Sequence, residues 1–533
     1  MIPHPSRLSY GTGSFALTAR TAVIADAATE RAAAWLESTL TRSLGRRTPD
    51  GGPAVRLTGA EGLGDEGYRL HVSPDGVLIE ASAHAGAFYG CQSLVQLLPP
   101  QIHRAAAPDR PDAYEIPSLT IEDRPRFRWR GVLIDVARRF LPQRELLRYV
   151  DLLALHKLNT LHLHLTDDQG WRIESERHPR LTEVGAWRRE STVGSSIRGH
   201  LDGRPHGGFY TKADLRELVA YAADRAVTVV PGIDLPGHTQ AAIAAYPELG
   251  NLGRPIEVAT AWGPSEHVLN AEESTVRFFL DVLDEVMEVF PSPYLHIGGD
   301  ECVRRQWKAS ARVRERIREL GLCDEDALQG WFIGRLAAHL AAHGRKLVGW
   351  DEILQGGLAE GATVMSWRGM RGAIEAARAG HDVIATPLTH TYFDFRQSEH
   401  PDEPIPLGCV TSLRDAYAFD PVPEELDAEA ARHVLGGQAQ LWGEPLDGPR
   451  SLDYLAFPRL CAFAEAVWGQ GPRAYEEFAA RLVPHLERLD ALGVEYRPLD
   501  GPRPWQSRPD AKGWKRDREA VLADVLGGPE HAH

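Results

Sequence analysis

The densest chemistry in this sequence is the run HIGGDE, His296 to Glu301, where two glycines precede two adjacent carboxylates. Glycine at a strand end lets backbone and ligand approach closely, and paired carboxyls can serve as general acid and base. Related endings recur through the second half of the chain: Asp135 with Arg138, Asp167 with Asp168, Asp234 with His238, Trp350 with Asp351, Trp367, and Trp442 with Glu444. Acids beside flat apolar walls suit a carbohydrate, whose hydroxyls need acceptors while its ring C–H faces stack on indoles. Adjacent carboxylates are poorly placed to stand on opposite faces of one sugar about 5 Å apart, as an ordinary retaining glycosidase requires. A different nucleophile is implied. No glycine-rich phosphate loop occurs, which argues against a nucleotide.

The elements that must carry these residues are short apolar runs alternating with helical periods, beginning after Pro125. The runs are FRWRGVLIDVAR, TLHLHLTDD, VTVVPGID, YLHIGGDE, KLVGWDE, ATVMSW, DVIATP and GGQAQLWGE. One connecting helix shows Leu147, Val150 and Ala154 on a single face, and another opens with a capping box from Thr211 to Asp214. Eight strands alternating with helices predict a (β/α)₈ barrel, whose catalytic groups belong at the C-terminal strand ends. From about Phe15 to Pro99 the pattern differs: strand, helix, strand, a hairpin turning at Pro74-Asp75-Gly76, and helix, an α+β unit. Residues Pro99 to Pro117, rich in Pro and Ala, read as a linker. The expected organisation is an accessory domain over residues 1–124, a barrel over 125–500, and a tail over 501–533 that carries no motif.

Composition sets the outer limits. At 533 residues, with 43% hydrophobic and 25% charged residues, the chain has ordinary globular values, unlike a disordered or collagen-like chain or a membrane bundle. Its net charge of −15 and the lack of a basic run argue against a nucleic-acid partner. No 18-residue apolar span predicts membrane insertion. Arg20 and Asp26 interrupt the N-terminal apolar stretch before it reaches signal-peptide length, so a cytoplasmic protein is expected. The five cysteines, Cys91, Cys302, Cys323, Cys409 and Cys461, form neither a disulfide framework nor a CxxC metal pair.

From roughly Gly67 to Trp468 the chain resembles the glycoside hydrolase family 20 β-N-acetylhexosaminidases. The ordered motifs are LIDVARRF, HLHLTDDQGWR, DLPGHT, HIGGDE, VGWDE, VMSW, YFD and LWGE. The α+β unit also looks like that family's accessory domain. The resemblance implies an exo-acting, retaining, substrate-assisted mechanism that needs no cofactor or metal. Glu301 would be the general acid and then base. Asp300 would orient the 2-acetamido N–H, so that the substrate's own carbonyl attacks and forms an oxazolinium intermediate. Tyr392 would donate its hydroxyl to that carbonyl. Asp167 and His238 would form a relay behind Glu301. Trp350, Trp367 and Trp442 would wall the acetamide methyl, while Arg138, Asp394 and Glu444 bind the outer hydroxyls of the terminal sugar. The partner implied is an oligosaccharide or glycoconjugate; N-acetylglucosamine and N-acetylgalactosamine, the aglycone, and the oligomeric state stay open.

Each residue also has a plainer reading. A single strand-end Trp is more often a core residue than a sugar wall, Arg138 could merely pair with Asp135, and a lone His238 would more often be a satisfied core histidine. Cys302 beside the acid reads as structural. His162 and His164, two apart on a strand, suggest a metal-dependent barrel hydrolase as the main rival, but such sites need further His or Lys ligands where these strand ends carry Trp, Glu and Tyr. A non-catalytic sugar-binding barrel is disfavoured by the intact Asp300 and Glu301 pair.

Overall fold

The structure, a computed structural model, describes the chain except residues 46–47, 107–110, 197–198, 405–406 and 528–533. Residues 1–124 build a six-stranded sheet from β1 (Arg7–Thr18), β2 (Ala22–Ala25), β3 (Ala54–Gly59), β4 (Tyr68–Ser73), β5 (Gly76–Ala81) and β6 (Ala113–Asp123). Their order across the sheet is β1-β6-β4-β5-β3-β2. Helices α1 (Glu30–Leu44) and α2 (His84–Leu97) bury their apolar faces on it. The β4–β5 hairpin turns at Pro74-Asp75 as its sequence predicts.

Two expectations need correction here. The segment from Pro99 to Pro117 is not wholly linker: Ala113 begins β6, which inserts between β1 and β4, while 107–110 lie outside the described residues. Pro117 disguised the strand, because it lacks an N–H and breaks most ladders. It is accommodated opposite a register irregularity in β1 between Tyr10 and Ser14. Strand β1 also starts eight residues before Phe15. Its first half is almost wholly exposed at the sheet edge, so no hydrophobic alternation announces it.

The barrel contains eight parallel strands: β7 (Trp129–Asp135), β8 (Thr160–Asp167), β9 (Thr228–Leu235), β10 (Tyr294–Gly298), β11 (Lys346–Trp350), β12 (Thr363–Ser366), β13 (Val383–Ala385) and β14 (Val434–Leu441). Each corresponds to one of the predicted runs. The β14–β7 pairing, from Gly436 opposite Trp129 to Leu441 opposite Ile134, closes the ring and leaves no edge. The strands are buried on both faces, as strands covered outside by helices must be. Helices α3 (Gln143–Leu155) and α4 (Lys212–Ala223) follow β7 and β8, and the predicted capping box at Thr211 and Asp214 is formed.

The tail also departs from expectation. Trp514 and Lys515 pair in parallel with Leu407 and Gly408 in the loop beyond β13. The following helix, α5 (Arg518–Gly527), packs Val521 onto the barrel's aromatic cluster. A polar, Arg-rich sequence concealed this, since the segment is held largely by backbone pairing and guanidinium contacts. No helix among the described residues is long and apolar enough to cross a membrane.

A buried ion pair fixes the accessory sheet to the barrel. Lys157, just after α3, donates to Asp123 at the end of β6 over 3.0 Å. Asp123 also accepts from the Tyr68 hydroxyl at 2.8 Å and from the Trp468 indole N–H at 3.1 Å. Burial lowers the Lys157 pKa even though Asp123 opposes that shift. Removing one partner from such a pair strands the other, costing about 3–5 kcal/mol. Lys157→Met is therefore expected to destabilise the protein by that amount in urea unfolding, and adding Asp123→Asn should recover more than half. An additive or larger loss in the double variant would contradict a coupled pair.

Candidate active site

The C-terminal strand ends converge on one cavity of about 240 Å³. That is small beside the roughly 300–1,000 Å³ of pockets for larger ligands, so it fits one compact unit. Arg138, just after β7, is buried with its guanidinium 2.9 Å from Asp167, 3.4 Å from Asp135 and 3.8 Å from Glu444. Asp167, closing β8, accepts from His164 Nε2 at 2.7 Å and from His238 Nδ1 at 3.1 Å. His238 then directs Nε2 toward Glu301 at 3.3 Å and Asp300 at 3.8 Å. A continuous ionic chain thus crosses the ends of β7, β8, β9 and β10.

Charge is unevenly compensated here. Burial acts to raise the Asp167 pKa, but Arg138, His238 and the His164 hydrogen bond prevail and hold it well below the usual carboxylate range. Burial disfavours the His238 cation, yet Asp167, Asp168 and Glu301 raise its pKa well above an ordinary imidazole. The remaining acids lack a cation of their own. Burial pushes Asp234 up to about 7, with Asp167 adding to the shift and His238 opposing it. Asp300 lies close enough to Asp234 to feel its charge, and burial, then Asp234 and Glu301, raise Asp300 well above its usual value despite His238. Burial followed by Glu444 raises Asp394; burial raises Glu444 despite Arg138. One oxygen each of Asp300, Asp394 and Glu444 is buried without a hydrogen-bond partner among the described residues. Such atoms cost about 1–3 kcal/mol each when unsatisfied, so a ligand rich in O–H and N–H groups would be favoured.

The backbone explains the glycines of HIGGDE. Gly298 and Gly299 have φ of +69° and +91°, and a Cβ on Gly298 would lie 1.3 Å from Asp234 Oδ1. Asp234 therefore occupies space that any other residue at 298 would fill. His238 at φ +53° and Glu301 at +44° also lie in the left-handed region, a strain of about 1–3 kcal/mol each that packing must enforce. Buried arginines supply part of that enforcement around the mouth. Arg172 donates to the Val136 and Ala137 carbonyls at 2.9 and 2.6 Å, fixing the backbone that leads to Arg138. Arg459 donates to the Phe395 and Thr411 carbonyls at 3.0 and 2.7 Å and also to the Phe393 carbonyl, fixing the loop that bears Tyr392 and Asp394.

Trp367, Tyr392 and Trp442 line the cavity, with the Trp367 and Tyr392 rings stacked at 6.1 Å and 20°. Trp350 lies elsewhere than expected. It is 1% exposed and packs behind Trp442 at 5.8 Å, so it backs the wall rather than forming its lining. Arg138, Asp167, His238, Asp300, Glu301, Tyr392, Asp394 and Glu444 come together on the cavity. Of the rival pair, His164 is bonded to Asp167, while His162 accepts from the Gln438 amide at 3.1 Å and packs on His296 at 4.4 Å. Cys302 is buried, which raises its thiol to about 12, as befits a structural residue.

Sequence reasoning missed several participants. Asp234 was visible as a strand-end acid, but its electrostatic pressure on Asp300 was not. Glu352, one residue beyond Asp351, accepts the Trp367 indole N–H at 3.0 Å; burial and then Asp351 raise its pKa well above the ordinary range. Arg172 stood in the HLHLTDDQGWR run with no role attached. Trp514, Arg516, Val521 and Val525 line the same cavity from the tail, and nothing in their local pattern signals this.

Residues 127–471 match the model of the glycosyl hydrolase family 20 catalytic domain, and residues 1–124 match that family's domain 2. A β-hexosaminidase of Porphyromonas gingivalis is 40% identical over 508 residues, covering 93% of this chain; the chain spans 64% of that relative's length. Among solved structures, the GH20 β-N-acetylhexosaminidase of Streptomyces coelicolor superposes with a TM-score of 0.81 at 34% identity, covering 94% of this chain and 98% of its own. A GH20 exo-β-N-acetylglucosaminidase of Vibrio harveyi, solved with N-acetylglucosamine, gives a TM-score of 0.83 at 33% identity, covering 93% and 78% respectively.

Two outcomes are expected from this geometry. Gly298→Ala must displace Asp234 and adopt an unfavourable φ, so it should lose about 2–4 kcal/mol in chemical denaturation; wild-type stability would contradict the close approach. Glu352→Gln keeps an acceptor for Trp367 but removes a buried ionisation. A carboxyl with a raised folded pKa stays neutral in the native state while the unfolded chain ionises above about pH 4.5, so stability falls as pH rises toward the folded pKa. The variant should lose less Tm than wild type between about pH 5 and pH 8 in calorimetry. Parallel curves would refute the raised pKa.

Proposed function

Because the chain belongs to glycosyl hydrolase family 20, we propose that it removes terminal β-linked N-acetylhexosamine units from the non-reducing ends of glycans, with the substrate's acetamido group as nucleophile. The observation that carries this reading is the convergence of Asp300 and Glu301 on one nitrogen of His238, at 3.8 and 3.3 Å. Two carboxylates from adjacent residues that meet one imidazole are poorly placed to face each other across a sugar ring, which supports a nucleophile other than a second carboxylate. The nucleophile therefore comes from the substrate. The likeness to the Vibrio harveyi protein solved with N-acetylglucosamine supports the same sugar class.

Each cavity residue then has a task. Glu301, whose side chain is 33% exposed, faces the leaving group and protonates the glycosidic oxygen as the C1–O bond breaks. The acetamido carbonyl oxygen simultaneously bonds to C1, giving an oxazolinium ion. Asp300 accepts the acetamido N–H. Tyr392 keeps its proton because burial, then Asp394, raises its pKa, so it can donate to the acetamido oxygen. Glu301 next takes a proton from water, which attacks C1 from the leaving-group side and restores the original anomeric configuration. Holding an internal nucleophile in line can be worth roughly 7–11 kcal/mol, so positioning is the protein's main contribution.

Sugar recognition follows from the lining. Arg138, Asp394 and Glu444 face the outer hydroxyls at the closed end, where only a terminal sugar fits. Trp367 and Trp442, backed by Trp350, enclose the acetamide methyl. His238 links Glu301 to Asp167, so the proton donor's charge is coupled to the Arg138 pair.

Paired aryl β-glycosides with and without the 2-acetamido group test the reading. Only the acetamido substrate should turn over at an appreciable rate; equal rates would sink substrate assistance. Glu301→Gln should lose on the order of 10²–10⁴-fold with poor leaving groups and far less with activated ones. Asp300→Asn should lose with both, and a wild-type rate from either variant would contradict its role.

A further inference from the structure

The cavity has one wall that the barrel does not build. Trp514, Arg516, Val521 and Val525 come from the C-terminal segment, yet they line the same cavity as Asp300, Glu301 and Trp442. The segment is tied down around the mouth at separate places. Lys512 accepts at its carbonyl from the Ser195 and Ser196 N–H groups at 3.0 and 3.1 Å, in the excursion between β8 and β9. The approach is so close that a Cβ on Gly194 would lie 2.3 Å from that oxygen. Trp514 and Lys515 pair with the loop beyond β13, and the Arg516 N–H donates to Gly408 at 3.1 Å. Arg518 pairs with Asp415 at 3.0 Å, and Arg508 pairs with Asp447 in the loop beyond β14. Three catalytic loops are thereby joined by one strap.

The strap presents a defined chemistry. Trp514 is 40% exposed at the cavity, whereas the catalytic groups Arg138, Asp167 and His238 are buried at its floor. The indole is held by the Arg516 guanidinium, whose carbon lies 4.6 Å from the ring centroid. Arg516 is itself fixed by Asp524 at 2.5 Å and the Ala520 carbonyl at 2.6 Å, so it is not free to bind an anion. A half-exposed indole that shares its wall of the cavity with Val521 and Val525 suits a flat, weakly apolar face better than a charged group. Glu301 is the cavity acid that faces outward, so whatever leaves on protonation lies on this outer side.

We infer that the C-terminal strap completes a subsite for the sugar next to the cleaved bond, with Trp514 as its stacking platform. The ligand class is a second pyranose ring, so the natural leaving group is a saccharide. This rests on the hydrolase reading above.

The test compares two substrates that share the terminal N-acetylglucosamine: its β-linked disaccharide, and its β-glycosyl fluoride, whose leaving group has no ring. Trp514→Ala should lower the disaccharide-to-fluoride ratio of kcat/KM about tenfold, mainly through KM. Trp514→Tyr, which keeps a flat ring, should restore most of it. An unchanged ratio in Trp514→Ala, or an equal loss on both substrates in a variant with wild-type Tm, would overturn the subsite while leaving the hydrolase reading intact. A wild-type protein that cleaves neither substrate would overturn the hydrolase reading and this inference with it.

Discussion

The mouth of this barrel holds more acid than its cations can neutralise, and much of the surrounding structure answers that imbalance. Asp135, Asp167, Asp234, Asp300, Asp394 and Glu444 are buried or nearly so around Arg138 and His238. In a low-dielectric site two cations cannot hold all these groups ionised. Asp167 takes both cations and stays charged. Asp234, Asp300, Asp394 and Glu444 shift upward. The site is thereby divided into an ionised relay and a set of acids whose neutral form burial favours.

Such an arrangement is costly, and the fold maintains it by fixing the backbone. Gly298 yields its side-chain space to Asp234, while His238 and Glu301 are held in left-handed conformations. Arg172 and Arg459 satisfy carbonyls beneath the loops that carry Arg138 and Asp394. These guanidiniums never reach the cavity, but they replace water where irregular backbone is buried, and orphaned carbonyls there would be expensive. Conserving loop geometry by side chain to backbone bonding suits a site assembled from eight strand ends. Small errors in each would otherwise accumulate.

The aromatic residues divide along a similar line. Trp367, Tyr392 and Trp442 meet the cavity, Trp350 supports them from behind, and Glu352 anchors Trp367 through its indole N–H. The tail adds a further apolar surface at the rim, where the walls of a simple barrel would leave the site open. The cavity lining is thus graded from a polar, charged floor to a flatter apolar rim.

Local pattern determined a great deal. The eight apolar runs specify the barrel strands because strands buried on both faces need continuous apolar sequence, and their C-terminal ends expose the acids and tryptophans whatever the loops do. The accessory α+β unit was legible for the same reason, apart from β1 and β6, where an exposed edge and Pro117 suppress the alternation that marks a strand. Tertiary structure alone decided which acids crowd one another, which indole lines the cavity, and that the tail returns to the mouth. Those outcomes depend on distances between groups far apart in the chain, such as Asp234 with Asp300 and Trp514 with Gly408. No periodicity records them, because backbone pairing and buried electrostatics are indifferent to the sequence neighbours of the residues they join.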